Sequence, residues 1–351
     1  MLFPGIHLQR CNYVMHPSFS ISLESIYVTS VVLYLTEVCV MDTRKVRGDR
    51  KRSAIRKAIP LYIMLFPGVL YLFINNYIPM AGLIIAFKDV NFAVGIMGSE
   101  WVGFDNFKYL FQTPDALRIT LNTLGYNFAF IVSNLILSVF FAILLSELRS
   151  KRTVKLHQTI ILLPYMISMV IVSYLVYAFL ASDTGLLNNL LVALGKEPIL
   201  WYTEPKFWPF ILILINSWKG VGYCTIIYLA SILGIDQSMM EAATVDGATK
   251  LQQIRYITIP LIRPTIITML LLNIGRIFYS DFGLFYQVPM GSGALLDATN
   301  TIDTYVYRGL ITLGDVGMSS AAGFYQSIVG FILVFLANTL TRKYSKEEAL
   351  F

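Results

Sequence analysis

Six apolar stretches decide what this chain can fold into. They lie at about 60–87, 119–147, 155–181, 207–233, 264–286 and 319–341. A bilayer core of about 30 Å takes roughly 20 apolar residues in a helix. Hydrocarbon offers no partner to an unpaired backbone amide, so runs of this length must be helical. A transmembrane barrel would instead show segments of about ten residues with alternating polarity, and none is present. Only 14% of the 351 residues are charged and 56% are hydrophobic, whereas soluble domains carry about a quarter charged residues. The expected fold is all-α, an integral membrane protein of six spans.

The basic residues alternate between the two sides. Lys and Arg crowd into 42–58 (Arg44, Lys45, Arg47, Arg50, Lys51 and Arg52 among them), 148–157 (Arg149, Lys151, Arg152, Lys155), 234–263 (Lys250, Arg255, Arg263) and the tail after 341. These four segments hold eighteen; the opposite connections 88–118, 182–206 and 287–318 hold six. Positive charge marks cytoplasmic loops. Both termini are therefore expected in the cytoplasm, with the chain starting near Met41. The net charge of +6 belongs to this asymmetry, and no nucleic-acid partner is expected.

Residues 1–40 fit poorly. The run at about 19–40 contains Glu24 and Glu37 and meets the basic MDTRKVRGDRKRSAIRK. An upstream translation start, an extra helix and a signal peptide compete; the early positive region and cleavage site of a signal peptide are not clear, and a start at Met41 is favoured. The expected organisation is a doubtful extension 1–40, a basic cytoplasmic segment 41–59, a six-helix domain 60–341 and a tail 342–351. Cys11, Cys39 and Cys224 have no metal-ligand spacing and read as membrane-core residues. Asp183 and the aromatic WYTEPKFWPF at 201–210 read as an interface anchored at the lipid headgroups.

One polar segment, EAATVDGATKLQQIRYITIPLIRP at 241–264, is too regular for loose loop. Met240, Ala243, Gly247, Leu251 and Ile254 recur at helical spacing, and Asp246 and Lys250 stand four apart in the favourable order. Gly247 would cost about 1 kcal/mol inside a continuous helix, so it suggests a bend between two short helices or very close packing. Pro260 and Pro264 are expected to stop the pattern before the fifth span. Ala242, Ala243 and Ala248 allow another surface to approach the backbone. An interfacial helix would place bulky apolar residues opposite Lys and Arg; here the apolar residues are mostly small, which suits docking in a protein groove.

The segment resembles the EAA signature of permease subunits of bacterial ATP-binding-cassette importers. Glu241-Ala242-Ala243, Asp246-Gly247-Ala248, Ile257-Thr258-Ile259-Pro260 and Pro264 carry the likeness; Ile254 stands where the family usually has phenylalanine. PLYIMLFPGVLYLFINNYIPMAGLIIAFKD (60–89), GSEWVGFDNFKYLF (98–111), QTIILLPYMISMVIV (158–172), TGLLNNLLVALG (184–195) and NSWKGVGYCTIIYLASILGIDQSMMEAA (216–243) are similar to the carbohydrate-uptake branch, nearest to importers of oligosaccharides from complex polysaccharides. The resemblance implies a type I importer fold with a coupling segment at 236–260. It also implies a second homologous permease forming a heterodimer, two ATPase subunits, and a soluble or lipid-anchored extracellular sugar-binding protein. Glu241, Ala242, Ala243, Asp246, Gly247, Ala248, Leu251, Ile254 and Pro260 would form the ATPase-coupling surface, with Glu241 in polar contact and Gly247 at the turn. The chain lacks a G-x-x-x-x-G-K-[S/T] loop, so ATP and magnesium are expected only in the partner ATPase, with no cofactor and no catalytic residue here.

Lys219 and Arg276 fall near the centres of spans four and five, where each costs about 2.5–3.5 kcal/mol and is expected to face a cavity or a partner. Asn216, Lys219 and Tyr223 share one helical face; Asn273, Arg276 and Ser280 share another. These stripes are candidate walls of the substrate path, with Trp218 and Tyr279 flanking them as sugar-stacking rings. Equally, Lys219 or Arg276 could pair with Asp281, the one mid-span acid, or with a partner carboxylate. Two mid-membrane cations would suit an acidic sugar such as a uronate. An ion-driven secondary transporter would show inverted repeats and intramembrane carboxylates, and a scaffold would need neither the EAA geometry nor polar stripes.

Overall fold

A computed structural model describes residues 49–112, 115–148 and 150–344. The extension 1–40, the start of the basic segment and the end of the tail lie outside the described residues, as do Cys11 and Cys39. The chain divides into two compact units at Leu83 and Ile84.

In the first unit, helix Asp49–Leu72 runs through a wide π turn, Phe73–Tyr77, into Ile78–Met80. The Ile78 N–H reaches Phe73 O, one residue further back than in an α-helix, and Pro79 follows. The same arrangement recurs in the second unit, where Ile259 N–H reaches Ile254 O just before Pro260. A proline has no N–H and its ring collides with the carbonyl four residues back. A π turn displaces that carbonyl and lets the helix continue.

The second unit holds the remaining spans: Asp115–Ser146, the pair Lys151–Met166 and Met169–Leu180, Pro205–Leu233, Lys250–Ile274 and Val316–Thr339. The third span is not the single helix 155–181 that its composition suggests, because its halves meet at 94°. Ile167 and Ser168 are extended, and Ser168 Oγ caps the second half by accepting from Ile171 N–H. The fifth span also differs. It begins at Lys250, passes through Pro260 and Pro264, and ends at Ile274, so the prolines do not stop it.

Lipid tails are as apolar as leucine, so helix association depends on close fit and polar contacts. Between spans two and four, Ser138 Oγ donates to Val221 O at 3.2 Å and Ser217 Oγ to Ser133 Oγ at 3.0 Å. Gly222 brings span four against the third span so closely that a Cβ would sit 2.1 Å from Ile161 O. Three buried clusters complete the unit, centred on Trp208 and Phe285, on Ile119 and Phe278, and on Tyr228 and Ile262.

Within the aromatic stretch 201–210, Trp208 belongs to the core, while Trp201, Tyr202 and Phe207 are half-buried and Phe210 is exposed. Trp208 is fully buried and its indole donates to Trp201 O at 2.7 Å, while the Trp201 indole donates to the buried Asn188 Oδ1 at 2.9 Å. Between the first two spans, Lys88–Asp89 and Glu100–Trp101 form a short antiparallel ladder.

Gly222→Ala should destabilise the permease by about 1–3 kcal/mol, as overpacking does, and lower its unfolding temperature in detergent. Gly125→Ala, where nothing lies within 4 Å, should leave it unchanged or slightly raised.

Candidate functional site

The coupling segment folds as two short helices joined by a tight corner. Asp236 opens the first, Gln237–Val245, by accepting from Ser238 N–H at 2.9 Å. That backbone hydrogen bond, with a smaller side-chain contribution from Ser238, holds the Asp236 carboxyl below its ordinary range. Gly247 closes the helix at φ +79°, with Ala248 N–H reaching Ala243 O at 2.9 Å and Gly247 N–H reaching Thr244 O at 3.1 Å. This is the paired bonding of a glycine-terminated helix. Thr249 then starts the next helix with a reciprocal capping box to Gln252. The expected bend at Gly247 is present, so the apolar wheel from Met240 to Ile254 is not one continuous face. Asp246 and Lys250 do not pair; the corner separates them, and Lys250 Nζ instead meets Glu147 at 3.0 Å.

A residue the sequence reading passed over holds the corner. Gln253 is buried, and its Nε2 donates to Thr244 Oγ1 at 2.9 Å and Ala248 O at 3.4 Å, binding the second helix to the first. Around this pin the outer surface is bare. Glu241, Ala242 and Asp246 are exposed, Val245 is 88% exposed and Leu251 74%. Ala243, Ala248 and Ile254 are half-buried, and Pro260 is exposed.

The mid-membrane groups are arranged differently from two parallel stripes. Lys219 Nζ donates to Ile167 O and, at 3.4 Å, to Pro164 O. It thus fills the break in the third span, supplying a donor to the Ile167 carbonyl that the helix leaves open, while Pro164 O also accepts from Ile167 N–H at 3.2 Å. No ion pair joins it to Asp281, although that carboxylate lies within electrostatic reach. Asp281 is exposed and caps the turn Gly283–Gln287 by accepting from Leu284 N–H at 3.1 Å. Tyr223 stacks on Tyr165 with centroids 5.2 Å apart. Asn216 Nδ2 and Asn134 Oδ1, the latter on span two beside Gly220, are buried polar atoms without a hydrogen-bond partner among the described residues.

The second stripe does not lie on one helical face, because the helix ends at Ile274. Asn273 Nδ2 donates back to Met269 O, and Arg276 is exposed in the following turn. Ser280 is tied down: its N–H and Oγ both reach Asp303 Oδ2 at 2.7 Å. Tyr279 is 44% exposed and Trp218 43%. The irregular backbone at 275–281 is satisfied by side chains, Asn127 Nδ2 on Ile277 O and Tyr279 O and Gln326 Nε2 on Phe278 O.

With this geometry in view, the sequence matches, over residues 135–346, the family described as binding-protein-dependent transport system inner membrane component. The chain belongs to that family. Protein LplB of Bacillus subtilis (strain 168) is 36% identical over 86% of this chain and 94% of its own. The polygalacturonan/rhamnogalacturonan transport system permease YteP of the same organism is 38% identical with the same coverage. A crystal structure of a bacterial ABC transporter for import of the acidic polysaccharide alginate superposes with a TM-score of 0.77 at 34% identity, covering 85% of this chain and all of that one. The same transporter with a periplasmic protein bound to an alginate pentasaccharide gives 0.76. The permease is thus a multi-pass membrane transport subunit with the type I importer fold, and ATP hydrolysis belongs to separate subunits of such importers. An ion-driven transporter and a passive scaffold are set aside.

Lys219→Met should leave the Ile167 carbonyl without its side-chain donor, at about 1–3 kcal/mol, and lower the unfolding temperature of the permease in nanodiscs. Lys219→Arg should retain most of the stability. An unchanged unfolding temperature for Lys219→Met would show that the contact does not hold the break.

Proposed function

We propose that this permease is one of a heterologous pair that imports oligosaccharides of an acidic polysaccharide, driven by two ATPase subunits that use ATP and magnesium. An extracellular sugar-binding protein delivers the cargo. The observation that carries the substrate class is the similarity, over about 85% of the chain, to the alginate importer and to the polygalacturonan/rhamnogalacturonan permease. A half-buried mid-membrane lysine agrees with it.

In this reading 236–260 faces the cytoplasm, as do both termini, and seats in a groove of the ATPase. The exposed Val245 and Leu251 side chains would be the apolar contacts. Glu241 makes no ion pair or hydrogen bond among the described residues and is open to a polar partner. Because Gln253 and the glycine-terminated corner make the two short helices one body, closure of the ATPase dimer would move that body as a unit. Lys250–Ile274 is a continuous helical run, so the displacement passes directly into the fifth span. The substrate path would run past Asn216, Lys219 and Tyr223, with Trp218, Asn273, Arg276, Tyr279 and the exposed Asp281 along it. Ser280 is better assigned to holding the fold.

Gly247 tests this reading, because a Cβ there meets nothing within 4 Å and only φ constrains it. Gly247→Val should strain the corner by about 1–2 kcal/mol. In the reconstituted complex it should reduce both uptake and the ATPase stimulation by loaded binding protein severalfold. Gly247→Asn, which tolerates the left-handed region, should retain most of both. Equal activity of wild type and Gly247→Val would count against the docking role.

A further inference from the structure

A cluster outside the path described so far carries chemistry that the fold leaves unused. Phe282, Tyr286 and Tyr307 touch one another, with centroid separations of 4.9, 4.7 and 4.9 Å for the three pairs. All three are half-buried and belong to none of the three buried core clusters. Arg308 stands beside them, 5.9 Å from the Tyr286 centroid. Its guanidinium is half-buried and donates to Asn300 Oδ1 at 2.6 Å. That is its one hydrogen bond among the described residues, from a group that carries five N–H donors, and no carboxylate among them lies within ion-pair distance. A partly desolvated guanidinium without a counter-charge is costly if packing is its only purpose.

The cluster's place in the fold is defined. Segment 297–302 lies over the beginning of span two, through Arg118 to Asp297, Tyr126 to Ala298 O and Thr123 to Ile302 N–H. Phe282 adjoins Asp281, and the following Gly283 abuts Met169, just past the break that Lys219 fills. Contiguous contacts therefore lead from the mid-membrane lysine, past three aromatic rings, to a second cation. In the proposed orientation this second cation is at the outer end.

We infer that Phe282, Tyr286, Tyr307 and Arg308 form a subsite for a carboxylated sugar ring at the outer end of the path. The rings receive the apolar face of the sugar, and Arg308 receives its carboxylate in a forked pair of charge-assisted hydrogen bonds. Lys219 is a compact point charge already committed to two carbonyls. Arg308 has donors to spare and the planar geometry that a carboxylate matches. The inference rests on the acidic-oligosaccharide reading above and assigns discrimination by charge to Arg308.

The test uses the full importer reconstituted in proteoliposomes with its binding protein, measuring uptake of a uronate tetrasaccharide and of its carboxyl-reduced neutral counterpart. Arg308→Gln should raise the KM for the uronate about tenfold, the order expected for losing a charge-assisted hydrogen bond, and leave the neutral oligomer nearly unchanged. Arg308→Lys should fall between, which also guards against misfolding as the cause. Tyr286→Ala should weaken uptake of both oligomers. Equal effects of Arg308→Gln on the two oligomers, or none on either, would overturn the subsite while leaving the proposed function intact. A wild-type importer that moves only the neutral oligomer would overturn the substrate reading and the subsite together.

Discussion

The structure depends on one requirement: inside hydrocarbon, each backbone donor and acceptor must find a partner within the protein. Most of the chain meets it with continuous helix. At two places among the described residues it does not, and side chains supply what the helix lacks. Lys219 fills the 94° break in the third span by donating to Pro164 and Ile167 carbonyls. Asn127, Gln326 and Asp303 satisfy the irregular stretch after Ile274. Transport folds admit irregular backbone at membrane depth where it is enclosed by protein or lines a cavity. Both irregular places here lie beside the residues proposed for the path, so the polar groups that permit the breaks would also give that path its chemistry.

In the proposed reading the coupling segment works under the opposite condition: at the cytoplasmic face its polar termini would be capped cheaply, and its exposed apolar residues, Val245 and Leu251, are the conspicuous feature. Rigidity there comes from three local devices in sequence: the Asp236 cap, the left-handed Gly247 and the Thr249–Gln252 capping box, with Gln253 binding the halves. The π turn Ile254–Thr258 then carries the helix through Pro260 into the fifth span. The lever proposed here needs stiffness at the corner and continuity along the arm, and these residues would supply each.

Much of this was legible in the sequence. The six spans, the bend at Gly247 and the family resemblance follow from hydropathy, one glycine and a gapped motif. What was not legible depended on tertiary partners. Pro260 and Pro264 read as helix stops because the π turn that relieves Pro260 has no sequence mark. The stripe Asn273, Arg276 and Ser280 assumed helical periodicity beyond Ile274, where the chain turns because Asn127 and Gln326 hold its carbonyls. Lys219 donates to carbonyls at the break in the third span, partners that its own helical face does not signal. Trp208 reads as interfacial by composition, yet it is buried and donates to Trp201 O, whose own indole is held by Asn188. The Phe282–Arg308 cluster has no sequence signature, because its members are spread over 27 positions and meet only in the fold.

The central claim is that 236–260 is the surface on which a separate ATPase acts. The most direct measurement is cross-linking from a single cysteine at Val245→Cys, with the native cysteines replaced by serine, in the assembled importer. The account predicts a specific cross-link to the ATPase subunit and protection of that thiol from a membrane-impermeant maleimide when the ATPase is bound. A thiol labelled equally with and without the ATPase, and no cross-link to it, would contradict the account.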